Sequence, residues 1–322
     1  MEDLLVRAKN SIGDSVRSPR KTISKGIKKV MLPLPPHEEP RSKLVGGGHY
    51  FEYVSNLKLH FIEIGQGPVL LLVNSWNNDW YGYLPLIREL SDFHIIALDL
   101  PGYGESEQLP TDKNYSIQGM AEIVNEFLKV RKVKPDVVAG LSMGADVVVE
   151  FGLKYPESAV SLAPIGTPIQ QFNKLGPFLY KLYMYLWNRN KFTQKIGRRL
   201  VSNYYYGHFT SKFLNMHKYD RELIDTYGLH ARRKISGKVL FNMSTSIIKY
   251  DSETTIKNLK IKTRLIYGKH DKLIDFKWAR ALSENNPNIE IDLIKKGGHV
   301  VSLERPKEVA QSIREFVEKL PK

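Results

Sequence analysis

The chain has 322 residues, of which 42% are hydrophobic, 25% are charged and none is cysteine, and its formal net charge is +14. That length and apolar content suffice for one large α/β domain with an insertion or for two smaller domains. The lack of cysteine excludes disulfide staples, thiolate metal sites and cysteine nucleophiles.

The charge is unevenly spread. Residues 1 to 31 carry eight Lys/Arg against Glu2, Asp3 and Asp14, a net +5, and residues 169 to 235 carry thirteen against Asp220, Glu222 and Asp225, a net +10. About −1 remains for everything else. A near-neutral body with two basic attachments suits an anionic surface such as phospholipid or nucleic acid. No nucleic-acid motif accompanies the charge, so no nucleic-acid partner is expected. Within the first attachment, Leu5, Ile12, Val16, Ile23, Ile27 and Val30 fall on a narrow helical arc interrupted at Pro19. This spacing predicts a basic amphipathic element lying on a membrane surface; a disordered or body-packed extension is the alternative. "MLPLPPHEEP" follows as a stiff spacer, so residues 1–40 form an extension and linker. No run approaches the roughly 18 to 20 apolar residues a membrane span needs. The start "MEDLLVRAKNSIGDSV" lacks the pattern of a secretory signal, and a cytoplasmic location with peripheral membrane attachment is expected.

After the spacer, "HYFEYV" and "LKLHFIEIG" flank "SN" and predict an antiparallel hairpin. Apolar runs at 68–74, 93–99, 135–141, 159–166, 262–268 and 289–295 lack alternation, as strands covered on both faces do. Between them "YLPLIREL", "SIQGMAEIVNEFLKV", "ADVVVEFGLKYP" and "DFKWARALSEN" carry apolar residues three and four apart and predict helices. "ERPKEVAQSIREFVEKL" adds a last helix with Pro306 at its start. The alternation predicts a doubly wound α/β sheet. It stops after Thr167 and resumes near Lys262, so 168–261 read as a helical cap inserted into a core formed by 41–167 and 262–322.

Within "DVVAGLSMGADVVVE", Ser142 stands between Gly140 and Gly144 where a strand gives way at once to a helix. The small residues suit an ordinary strand-to-helix turn; they also suit a nucleophile elbow, which presents a serine hydroxyl at the top of a sheet. Such a hydroxyl needs a histidine to take its proton and a carboxylate to fix the tautomer of that histidine. "IDLIKKGGHVVSLERP" supplies His299 on a loop after Gly297 and Gly298, and "TRLIYGKHDKLID" supplies Asp271 just past its strand. Asp275 is the alternative acid, and neighbouring His270 reads as a solvated loop residue. Asp99, heading "DLPGYGES", reads as structural, and Asp146 as a surface or packing residue. His208, His217 and His230 show no metal-ligand spacing, so no metal and no other cofactor is expected.

"GLSMG", "DLPGYGES", "YGKHD" and "GGHVVSLERP" together resemble the α/β-hydrolase superfamily, in its capped serine esterase and lipase form. The resemblance covers about residues 49 to 320 apart from the insertion. It implies an α/β-hydrolase fold and the catalytic set Ser142, Asp271 and His299. Relatives with dehalogenase or epoxide-hydrolase chemistry carry aspartate at the elbow, whereas this chain has serine. Most relatives also carry His-Gly after the third strand, and here "VNSWNNDW" puts Asn74 and Ser75 in that place. By the resemblance, the main-chain N–H groups of Trp76 and Met143 form the oxyanion hole. Asn74, Asn77 and aromatic residues of the insertion are further candidates for substrate contact.

The stretch beginning at Phe172 and ending at Phe209 holds eleven aromatics among many cations. If some line the space above Ser142, the pocket accepts an acyl chain; otherwise they face the body of the protein. The expected activity is cleavage of a hydrophobic or lipid-like carboxylic ester through an acyl-enzyme. A non-catalytic binding or scaffolding protein at a membrane surface is the second reading.

Overall fold

The computed structural model describes residues 47–111, 115–168, 190–229 and 231–320. The expected amphipathic element, the proline-rich spacer and the first part of the insertion lie outside these residues. Eight strands form one sheet: β1 (Gly47–Val54), β2 (Leu57–Ile64), β3 (Val69–Val73), β4 (His94–Leu98), β5 (Val137–Leu141), β6 (Ser161–Ile165), β7 (Lys262–Gly268) and β8 (Ile289–Ile294). Their order across the sheet is β1-β2-β4-β3-β5-β6-β7-β8. Only β2 runs against its neighbours, and every pairing from β4 to β8 is parallel. This is the α/β-hydrolase fold, with every strand run expected from the sequence in place.

Local chemistry explains the elements. The β1–β2 hairpin turns on Ser55 and Asn56, both at positive φ (49° and 66°), the backbone that a two-residue hairpin turn demands. The strands β3, β4 and β5 send alternate residues to opposite faces. Leu71, Val73, Ile96, Leu98 and Val138 enter one apolar cluster, while Leu70, Leu72, Ile95, Ala97 and Ala139 enter the other. A sheet buried on both sides needs apolar residues at both phases, which is why these runs show no alternation.

Helices α1 (Leu84–Glu89), α2 (Ile117–Arg131) and α3 (Met143–Lys154) connect the early strands. The Ser116 hydroxyl caps α2 by accepting from the Gly119 N–H at 3.0 Å, and Lys132 closes it in the left-handed region. Between β6 and β7 the described residues are helical: α4 (Lys191–Val201), α5 (Tyr204–Thr210), α6 (Gly237–Lys249) and α7 (Ser252–Lys257), with shorter turns between them. Asn190 and Thr193 form a reciprocal capping box at the start of α4. After β7 come α8 (Lys277–Asn285) and, following β8, α9 (Pro306–Glu318), with proline at its first turn.

The chain runs from β3 outward to β4 and returns to place β5 on the other side of β3, so a crevice opens between the carboxyl ends of β3 and β5. Open α/β sheets bind ligands at such a switch point. One side chain stitches the crevice at its base. The buried Tyr83 hydroxyl donates to the Val73 carbonyl at 2.8 Å and accepts from the Leu141 N–H at 2.7 Å. Burial pushes its pKa far up, so it stays a neutral donor.

Tyr83→Phe leaves two buried backbone groups without partners, at about 1–3 kcal/mol each. We expect a stability loss of about 3 kcal/mol by urea denaturation; a loss under about 0.5 kcal/mol means that the hydroxyl bridge is not structural.

Candidate active site

At Leu141 the strand β5 ends, and α3 begins two residues later. Ser142 takes φ 55° and ψ −115°, a region L-residues seldom adopt, at a cost of order 1–3 kcal/mol. The turn is held by the Ser142 N–H donating to the Ile165 carbonyl at 2.8 Å and by the Ser142 carbonyl accepting from Ala145 at 2.8 Å. It fits because the flanking glycines lack side chains. A Cβ on Gly140 would lie 2.5 Å from the Gly144 carbonyl, and one on Gly144 would lie 2.5 Å from the Val73 carbonyl.

Two later loops meet this turn. The Asp271 carboxylate, fully buried, accepts the Leu273 and Ile274 N–H groups on Oδ1 at 2.8 and 3.0 Å. Its other oxygen, Oδ2, is 2.9 Å from Nδ1 of His299, whose Nε2 is 3.0 Å from Ser142 Oγ. A carboxylate facing Nδ1 makes that nitrogen the donor and leaves the Nε2 lone pair toward the serine hydroxyl. Burial disfavours the charged imidazole, but the neighbouring Asp271 outweighs it, with help from Glu304, and the His299 pKa rises above its ordinary 6.5. Gly166 runs beside the imidazole at φ 57°, a left-handed backbone that favours glycine, although a Cβ there would lie in ordinary contact at 3.6 Å from His299 Nδ1.

The loop carrying His299 is anchored by a residue that sequence reasoning passed over. Glu304 accepts the Gly298 N–H on one carboxylate oxygen at 2.8 Å and the His217 N–H on the other at 2.9 Å. The insertion is thereby tied to the loop, and the Asn215 carbonyl adds a bond from Val300 N–H at 3.2 Å. Gly298 permits the crossing, since a Cβ there would lie 2.7 Å from the Asn215 carbonyl. Outside this loop the rings of His217 and His270 stack at 4.0 Å, so His270 meets the insertion. The Asp275 carboxylate accepts the Lys277 N–H at 3.0 Å at the start of α8 and does not meet His299.

In the segment after β3, the side chain of Asn74 is engaged within the protein: its amide donates to the Ser75 and Asn78 carbonyls at 3.1 and 3.0 Å, and its oxygen accepts from Leu100 N–H at 2.7 Å. Fully buried with both ends engaged, it cross-braces the loops after β3 and β4 and has no free donor. Asn77 lies at φ 59° with its amide oxygen buried and without a partner. The Trp76 ring N–H donates to the Leu240 carbonyl on α6 at 3.3 Å, which fixes the ring against the insertion. Met143 is fully buried at the first position of α3, where helix geometry supplies no acceptor for a main-chain N–H.

Asp99 is structural. It accepts the Trp80 N–H at 2.9 Å and faces the buried ring of His60 at 2.8 Å. Asp146 is not at the surface; it is fully buried. Among the insertion aromatics, Phe172, Phe178, Tyr180, Tyr183, Tyr185 and Trp187 lie outside the described residues. Phe192, Tyr205 and Phe209 are exposed, Phe192 as much as 72%.

Residues 68–306 match the family model described as alpha/beta hydrolase fold. The chain is 29% identical over 246 residues to the uncharacterized hydrolase YugF of Bacillus subtilis, covering 73% of this chain and 83% of that protein. It is 23% identical over 265 residues to the monoacylglycerol lipase ABHD6 of Mus musculus, covering 79% and 76%. Among solved structures, a bacterial membrane phospholipase A superposes with a TM-score of 0.69 at 21% identity, covering 99% of this chain and 98% of that one.

Because both glycines of the turn face backbone rather than yielding side chains, Gly144→Ala forces the strand ends apart. We expect a loss of about 2 kcal/mol or more in thermal or chemical denaturation; a neutral effect means that the elbow tolerates a wider spacing.

Proposed function

The chain belongs to the α/β-hydrolase fold family, and from that premise we propose that it is a serine hydrolase cleaving a hydrophobic or lipid-like carboxylic ester. The observation that carries this reading is the array in which Ser142 Oγ, the His299 ring and the Asp271 carboxylate follow one another at 3.0 and 2.9 Å. Ser142 attacks the ester carbonyl as His299 takes its proton on Nε2. Asp271 holds the ring in that tautomer and stabilises the imidazolium. The N–H groups of Trp76 and Met143 receive the oxyanion, and the start of α3 adds its helix dipole to the second. His299 then gives its proton to the leaving alcohol. Water, activated by the same imidazole, releases the acyl group. Each step uses only groups of this chain, the ester and water.

We assign 168–261 to a cap over this site. Support comes from the Trp76 ring reaching Leu240, and from Glu304 binding His217 beside His299. A lipid-like substrate is favoured by the outer face of the cap. Tyr205, Phe209 and Phe213 succeed one another at intervals of four and are all exposed, with the Lys212 ammonium 5.5 Å from the Phe213 ring. Aromatic and cationic side chains together suit the head-group region of an anionic bilayer. Among the described residues no helix is long and apolar enough to cross a membrane. We infer peripheral attachment through this face and through residues 1–31. Relatives that act as a monoacylglycerol lipase or are described as a membrane phospholipase A are consistent with that choice.

The reaction is tested with esters of graded acyl length. Turnover is expected to depend wholly on Ser142, to vanish in Ser142→Ala together with fluorophosphonate labelling, and to favour long acyl groups. Because only neutral His299 accepts a proton and its pKa is raised, kcat/KM should fall on the acid side with a midpoint above 6.5. A labelled Ser142 without turnover on any ester would favour the scaffolding role, and an unlabelled one would remove the nucleophile. For the membrane face, replacing Phe209 and Phe213 by Asp should reduce co-sedimentation with phosphatidylglycerol vesicles severalfold; unchanged pelleting excludes this face.

A further inference from the structure

Four residues after Ser142, Asp146 sits in the first turn of α3 with no exposed surface. Its Oδ1 lies 2.8 Å from the Ser252 hydroxyl oxygen, and that same oxygen lies 2.8 Å from the Pro168 carbonyl. Its other oxygen, Oδ2, is buried and has no hydrogen-bond partner. Pro168 is where the chain has just left β6, and Ser252 opens α7 on the return to β7. One serine hydroxyl therefore touches both roots of the insertion and the helix that begins at the elbow.

The protons of this contact can be counted. A serine hydroxyl has one proton, and the carbonyl of Pro168 can only accept. An ionised Asp146 could also only accept. One of the two short contacts would then set acceptor against acceptor, with a bare anionic oxygen buried behind it. The count closes when the carboxyl brings its own proton: Asp146 O–H donates to Ser252 Oγ, and Ser252 O–H donates to Pro168 O. We propose that Asp146 is a neutral acid whose proton completes a three-way clip between the elbow helix and the two roots of the insertion, making it a positioning residue for the site.

The surroundings agree. Burial lifts the Asp146 pKa well above its ordinary 3.8, against the opposing bond from Ser252. The titratable groups facing it offer no positive charge. Tyr250 and Tyr267 are phenols held neutral by burial. Glu150, one turn further along α3, accepts from the Tyr250 hydroxyl at 3.1 Å and is matched by Lys154 at 3.3 Å. Asp271 also acts on Tyr267 and is committed to His299. Among the described residues no Lys, Arg or His forms an ion pair with Asp146. The clip follows from hydrogen-bond stoichiometry alone; only its bearing on catalysis rests on the hydrolase reading.

The test is Asp146→Asn in the full chain, since an amide N–H can replace the acid O–H toward Ser252. A carboxyl with a raised native pKa stabilises the fold fully below its unfolded pKa, and this contribution is lost as pH rises toward the native pKa. Unfolding of wild type thus releases one proton that the variant does not carry. Between about pH 5 and 7, the unfolding constant of wild type relative to Asp146→Asn should grow up to about tenfold per pH unit. A wild-type minus variant infrared difference spectrum at pH 7 should show the carbonyl stretch of a protonated carboxylic acid. A ratio that stays flat with pH, a carboxylate band in its place, or an Asp146→Asn chain that fails to fold would each overturn the proposal.

Discussion

The site depends on one backbone reversal. Ser142 is forced to positive φ because β5 must stop and α3 must start within two residues, and because the Ser142 N–H is already committed to the Ile165 carbonyl. An isolated turn of this kind would relax. It persists because the surrounding structure over-determines it: the glycines seat α3 directly against the ends of β3 and β5, and the Tyr83 hydroxyl clamps those same strand ends. The strain points the serine oxygen out of the sheet, where two loops from distant parts of the chain can reach it.

What could be read in the sequence, and what could not, divides along the range of the interactions. Strands and helices announced themselves because their signals are local: unbroken apolar runs at both phases of a buried sheet, spacing of three and four in the helices, and Pro306 at a helix start. Ser142, Asp271 and His299 were legible for a different reason. Each is a reactive residue type among small residues just past a strand, and the motifs around them occur in the order the α/β-hydrolase resemblance requires.

The remaining contacts depend on which distant groups a side chain meets, and local pattern does not carry that. Glu304 carries no local signal, yet its carboxylate organises three main-chain donors across almost ninety residues of chain. Asn74 and Ser75 stand in place of a familiar His-Gly pair, and nothing local to them marks the three hydrogen bonds by which Asn74 braces two loops. Asp146 read as a surface or packing residue because helix periodicity does not distinguish a solvent-facing acid from one lying beneath the roots of an insertion. Tyr83 gave no signal, since nothing in "WYGYLPLI" marks a phenol that joins two strands.

The electrostatics of the site reward keeping its acids apart. In the proposed mechanism Asp271 stabilises the cation that His299 becomes, so the charge is needed at that imidazole. Asp146 and Asp271 both act on the buried phenol of Tyr267. A second anion near the imidazole would favour its charged form and leave less of it neutral to accept a proton at neutral pH, because opposite charge raises a histidine pKa. Holding Asp146 neutral by burial gives the fold a polar fastening for its insertion without adding that charge. One carboxyl faces an imidazole; the other is buried against a serine hydroxyl. The environment of each, more than its residue type, thus decides what it does.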